Sequence, residues 1–111
     1  MEFKRLNNMT GKDPVLNKRI ISIFINELGS LKLLTESIIQ ENLSELEFAI
    51  HKIKPSLLIF ELDALLKDYE NLLELLSIDN ENEKLVLKKN MIIKNIDQTL
   101  AILKQSLNLI H

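Results

Sequence analysis

The stretch Ala49-Ile50-His51-Lys52-Ile53-Lys54-Pro55-Ser56 decides how this chain is read. At 100° per residue, Leu46, Ile50, Ile53 and Leu57 fall on one stripe, the signature of an amphipathic helix with one buried face. His51 lies roughly 130° from the centre of that stripe and therefore points to solvent. Lys54 follows it by three residues and Glu47 precedes it by four, both neighbouring positions on a helical surface. The only other histidine is His111, the last residue, where an inert side chain is expected.

Outward from this segment, almost everything is helical in pattern. The chain has 111 residues, enough for one domain spanning 1–111 with a real core and no second one. Hydrophobic residues make up 46% but aromatics only 5%, so Leu and Ile must build the core. Two glycines and two prolines leave little material for turns. Without cysteine there is neither a disulfide nor a thiolate metal site, which fits a reducing cytosol. No signal-peptide pattern and no run of about 18 apolar residues occurs, so a cytoplasmic protein without a membrane partner is expected.

Taken in order, Phe3, Leu6 and Met9 mark one side of a short helix that Gly11 can terminate. Asp13-Pro14 reads as N-cap and first helical residue. The next helix carries Ile20, Phe24, Leu28, Leu31, Thr35 and Ile38 inward, with Gly29-Ser30 as a possible bend or break. Ile21 and Ile25 exceed what one stripe requires, and either burial between two neighbours or an exposed patch covered by a partner accounts for them. Gln40-Glu41-Asn42 makes a short antiparallel connection, and Asn42 with Glu45 has capping-box spacing.

Pro55 removes the hydrogen bond to the His51 carbonyl, so a kink or an early end is expected there. The pattern resumes from Leu62 with Leu65, Leu66, Tyr69, Leu72, Leu73 and Leu76 inward. Asp79 to Asn82 is a polar loop. A last helix from about Glu83 to Leu109 places Leu85, Ile92, Ile96, Leu100, Leu103, Leu107 and Ile110 inward. The sum is an all-α chain: an antiparallel, up-down-up-down four-helix bundle with a short extra N-terminal helix.

Net charge is −2, with acidic residues concentrated between positions 41 and 83 and lysines from 84 to 111. No basic stripe with interleaved base readers appears, which argues against nucleic acid. There is no phosphate-binding glycine loop and no carboxylate cluster for magnesium, so no nucleotide-cleaving enzyme is indicated. The inward stripes lack the paired carboxylates and histidines of a di-metal bundle.

Ala49, His51, Lys54 and Ser56 resemble the A-x-H-x-x-K-small-S signature of histidine-containing phosphotransfer (HPt) domains. Phe3 to Met9 followed by Thr10-Gly11-Lys12-Asp13-Pro14 is similar to that family's opening, and Ile23-Phe24-Ile25 to its aliphatic–Phe run. Glu41-Asn42 stands at its short acidic turn, so the likeness spans most of residues 3–76. It implies a phosphorelay intermediate that accepts a phosphoryl group on His51 from a receiver-domain aspartate and passes it to another receiver. Lys54 would steady the phosphoryl oxygens, and Glu47 would accept a hydrogen bond from Nδ1. Ile21, Ile25, Phe48, Pro55 and Leu58 would form the docking surface.

No cofactor is implied, because the partner receiver supplies Mg²⁺. The expected partners are response-regulator receivers and a (hybrid) histidine kinase, and the expected state is a monomer, with Met1 pointing to a free-standing protein. Two positions depart from the pattern: Pro55 replaces the glycine usual after the lysine, and Glu61 replaces a second glycine about ten residues after the histidine. Those departures motivate the alternative of a non-phosphorylatable helical interaction module.

Overall fold

The computed structural model describes residues 1–37, 42–78 and 83–110. Among these residues, five helices pack around one apolar core: α1 (Lys4–Thr10), α2 (Pro14–Glu36), α3 (Leu43–Ile59), α4 (Asp63–Ile78) and α5 (Glu83–Asn108). Among the described residues there is no strand. Helix α2 packs most extensively on α5 and less on α3, while α4 packs on both α3 and α5. No helix there is long and apolar enough to cross a membrane.

The helix boundaries have local causes. Gly11 closes α1 in the left-handed conformation, with φ 66°. The Asp13 carboxylate then accepts from the Val15 and Leu16 amides at 3.0 and 3.2 Å, and Pro14 opens α2 where its missing N–H costs nothing. Asn17 ties α1 to α2: its Nδ2 donates to Asn7 Oδ1 at 2.8 Å, and the Thr10 hydroxyl donates to its Oδ1 at 2.5 Å. Helix α2 runs unbroken through Gly29-Ser30, so the bend or split expected there takes the form of neither a break nor a second helix. Asn42 is the N-cap residue of α3, but its side chain makes no capping hydrogen bond.

The core follows the apolar stripes. Phe24, Leu28, Leu31, Leu46, Ile50, Ile53, Leu57, Leu65, Leu66, Leu72, Leu76, Leu85, Ile92, Ile96 and Leu103 are all buried. Leu73, Leu100, Leu107 and Ile110, expected inward, are half-buried against this core. Met9 is 55% exposed, which corrects its placement beside Leu6: α1 is only two turns long and buries Leu6 alone. Ile38, Gln40, Glu41, Asp79 to Asn82 and His111 lie outside the described residues.

One polar pair sits inside the core. Thr35 and Tyr69 are buried, with their hydroxyl oxygens 2.6 Å apart. The Thr35 hydroxyl also lies 2.7 Å from the Leu31 carbonyl, which can only accept. Thr35 therefore spends its proton on Leu31, and Tyr69 donates to Thr35. Burial holds the Tyr69 phenol well above the ordinary tyrosine range.

This geometry predicts an asymmetry. Thr35→Val strands a buried donor and should cost about 1–3 kcal/mol, whereas Tyr69→Phe leaves Thr35 bonded to Leu31 and should cost about 1 kcal/mol. In the Tyr69→Phe background, adding Thr35→Val should cost less than it does alone, read from urea midpoints. Because the phenol's pKa is raised by folding, its contribution is complete below the ordinary value of about 10 and is lost as pH rises from there towards the folded value. Tyr69 is the only tyrosine, so tyrosinate absorbance should appear at alkaline pH together with loss of helical circular dichroism, not before it.

Candidate functional site

Helix α3 is anchored by the four side chains that its pattern marks as inward: Leu46, Ile50, Ile53 and Leu57 are buried, at 0–5% exposure. That burial fixes the rotation of the helix about its axis, and His51 is accordingly exposed. Lys54 and Glu47 are exposed as well, one turn after and one turn before it. Phe48, at 71%, and Leu58, at 36%, are large apolar side chains left in water, and Pro55 is exposed between them. Positions 48, 51, 55 and 58 have 3–4–3 spacing and form one outward stripe with His51 in it.

Pro55 neither ends α3 nor halves it. The helix continues to Ile59, four residues beyond, which corrects the expectation of an early end. The missing N–H leaves the His51 carbonyl without its usual intrahelical donor. On an exposed face, water can take that place.

The end of α3 is unusual in a different way. Phe60 caps it, and Glu61 has φ 58°, the left-handed region that favours glycine. The Leu62 amide reaches back to the Leu57 carbonyl at 2.8 Å and the Glu61 amide to Leu58 at 3.1 Å, the two bonds of a Schellman motif. Arg5 of α1 closes the corner: Nη1 donates to the Leu58 carbonyl at 2.8 Å and to Asp63 Oδ1 at 2.9 Å. Phe60 stacks on Phe24, with centroids 4.3 Å apart and planes at 7°, and meets Phe3 edge-on at 6.0 Å.

The α2 contribution to the expected docking surface is not where the sequence placed it. Ile21 is 1% exposed and belongs to the core. Ile25 is half-buried, and it lies on the same flank of α2 as Lys32, whose Nζ is 2.6 Å from Asp97 on α5. That flank faces α5, not α3. Of the two explanations for the surplus isoleucines, burial between neighbours is the one observed.

What α2 does present to α3 is a groove of about 270 Å³, lined by Glu27, Ser30, Leu31, Leu34, Ala49, Lys52 and Ile53. The sequence reading passed over it, although small residues at Ser30 and Ala49 were the available signal. Around α3 the order is Ala49 and Lys52 on the groove side, then Phe48 and Pro55, then His51, then Leu58, Glu47 and Lys54. Among the described residues no cluster of three or more His, Cys, Asp or Glu side chains is placed to hold a metal ion. No family model matches the chain, and neither does any curated protein or solved structure.

The strained turn gives a direct expectation. Glu61→Gly relieves a left-handed penalty of about 1 kcal/mol, offset in part by the greater freedom of glycine in the unfolded chain. The urea midpoint should rise by the equivalent of about 0.5 kcal/mol with an unchanged m-value. A lower midpoint would show that the Glu61 side chain contributes more than its backbone costs.

Proposed function

We propose that α2 to α5 form an antiparallel four-helix bundle, with α1 as an added short helix, and that the chain works as a phosphorelay intermediate of HPt type. The observation that carries this is His51, exposed on the outward face of α3 with Lys54 one turn on and apolar Phe48, Pro55 and Leu58 along the same stripe. A second observation supports it. Glu61, at the position where HPt domains usually have glycine, adopts the left-handed conformation that glycine takes without strain.

The step asks little of the chain itself. The Nε2 lone pair of a neutral His51 attacks the phosphorus of an aspartyl phosphate on a receiver. The N–P bond forms as the P–O bond to the aspartate breaks, and the carboxylate leaves with the bonding pair. The proton on Nδ1 stays with the ring; Glu47, one turn back on the exposed face, makes no hydrogen bond to His51 in this structure and would accept from Nδ1 once its side chain turns towards the ring. Lys54 offsets charge on the phosphoryl oxygens. The receiver brings the aspartate and its Mg²⁺, so no cofactor is assigned to this chain and it is not a self-sufficient enzyme. Transfer to a second receiver reverses these events. Response regulators and a (hybrid) histidine kinase are the partners, the cytoplasm the compartment, and a monomer the working state.

Pro55 favours a second reading. Its ring stands where the HPt signature has glycine, one turn from His51, and a partner that tolerates the ring need not transfer phosphate. On that reading the stripe binds a receiver or kinase domain without chemistry.

Incubation with receivers phosphorylated on aspartate separates the two. The relay predicts an acid-labile, base-stable label on the wild type, none on His51→Gln, and labelling slowed roughly tenfold in Lys54→Ala. Label retained by His51→Gln would remove His51 from the mechanism. Binding of equal strength to wild type and His51→Ala, with label on neither, would establish the interaction module.

A further inference from the structure

The outward stripe of α3 is too small to hold a partner alone. Its four side chains are Phe48, His51, Pro55 and Leu58, of which Phe48 is the largest at roughly 200 Å², and together they fall short of the roughly 800 Å² that a specific interface takes from each side. Coverage must therefore spill onto one flank of α3. Helix α3 packs chiefly on α2 and α4, with Arg5 of α1 at its last turn, and the charged flank carrying Lys54 and Glu47 is the one turned towards α4. The other flank leads from Pro55 and Phe48 past Lys52 into the α2–α3 groove, whose floor is apolar: Leu31, Leu34, Ala49 and Ile53. Glu27 stands on its α2 wall and Lys52 on its α3 wall, and neither has an ion-pair partner among the described residues.

We infer that the α2–α3 groove is the second half of the partner's footprint: a receiver docked over His51 seats an apolar side chain between Leu34 and Ala49, with an acidic group opposite Lys52 and a basic group opposite Glu27. This rests on the relay assignment for the nature of the partner. The apolar contact supplies burial, while the two opposed charges select among receivers and fix the orientation of docking, because a partner with the charges exchanged meets like charge at both walls. The groove lies beside the stripe, not on it, so its residues set recognition without touching the phosphoryl group.

The test uses the full chain and a panel of receivers phosphorylated with acetyl phosphate, following the rate of His51 labelling against receiver concentration. Lys52→Glu and Ala49→Met, each checked for native helical circular dichroism, should raise KM roughly tenfold and leave the rate at saturation within about twofold. Lys67→Glu, an exposed reversal on α4, should change neither. In parallel, the amide resonances of Ser30, Leu34 and Ala49 should shift when unphosphorylated receiver is added. Wild-type KM in both groove variants, with those resonances unmoved, overturns the footprint while the relay stands. If the wild type takes no label from any receiver, the relay falls. The footprint then survives only as a binding surface, if the groove resonances still shift, and is overturned if they do not.

Discussion

The rotation of α3 about its own axis is the constraint on which the rest of the structure turns. Leu46, Ile50, Ile53 and Leu57 occupy one stripe and all four are buried; each side chain buried in this way contributes about 1.5–3 kcal/mol. Rotating the helix by one residue step would lift part of that stripe into water and carry Lys54 and Glu47 towards the core, where an unpaired charge is far more costly than an exposed leucine. Both penalties act in the same direction. His51 is therefore outward because of residues that never approach it, and the exposure of Phe48 is a consequence of the same choice.

Rotation alone would leave the position of α3 along its axis open. The corner after Ile59 fixes that. Phe60 is clamped between Phe24 of α2 and Phe3 ahead of α1, and Arg5 grips both the last turn of α3 and the first residue of α4. A cation at the C-terminal end of one helix and a carboxylate at the N-terminal end of the next are the favourable placements for both helix dipoles. The left-handed turn at Glu61 brings these ends together, which is why a residue poorly suited to that conformation is held there. Since α1 supplies Arg5 and the residue just ahead of that helix is Phe3, the N-terminal turn is part of what positions the candidate site.

Much of this was legible in the sequence, and the failures have a common cause. The stripes of α3, α4 and α5, the Asp13-Pro14 start and the Gly11 stop are local features, and each emerged where its pattern put it. Periodicity gives the angle between a residue and its own helix's stripe. It does not say which neighbour lies on which flank. Ile21 and Ile25 were assigned to the His51 face on that missing information; the Lys32–Asp97 pair shows that their flank of α2 meets α5. The groove was invisible for the same reason, since Ser30 and Ala49 make a gap only once α2 and α3 are set side by side. Pro55 misled differently. Its cost is one hydrogen bond, and four further residues with the buried Leu57 among them outweigh it.

The two departures from the HPt pattern act on separate parts of the molecule, and this decides what each can alter. Glu61 changes no surface near His51: the turn keeps its left-handed geometry and its two back-reaching hydrogen bonds, so the difference from glycine falls on stability. Pro55 changes no buried contact, because it is exposed and α3 passes through it. Its difference falls on the outward stripe, where a rigid ring replaces an open backbone and the His51 carbonyl is left for an outside donor. A partner that docks here meets an apolar, stiffened surface from Phe48 to Leu58 in place of a flexible one. Under the proposed relay, selection of a partner would therefore fall on Pro55, one turn from the histidine, and on the adjoining groove.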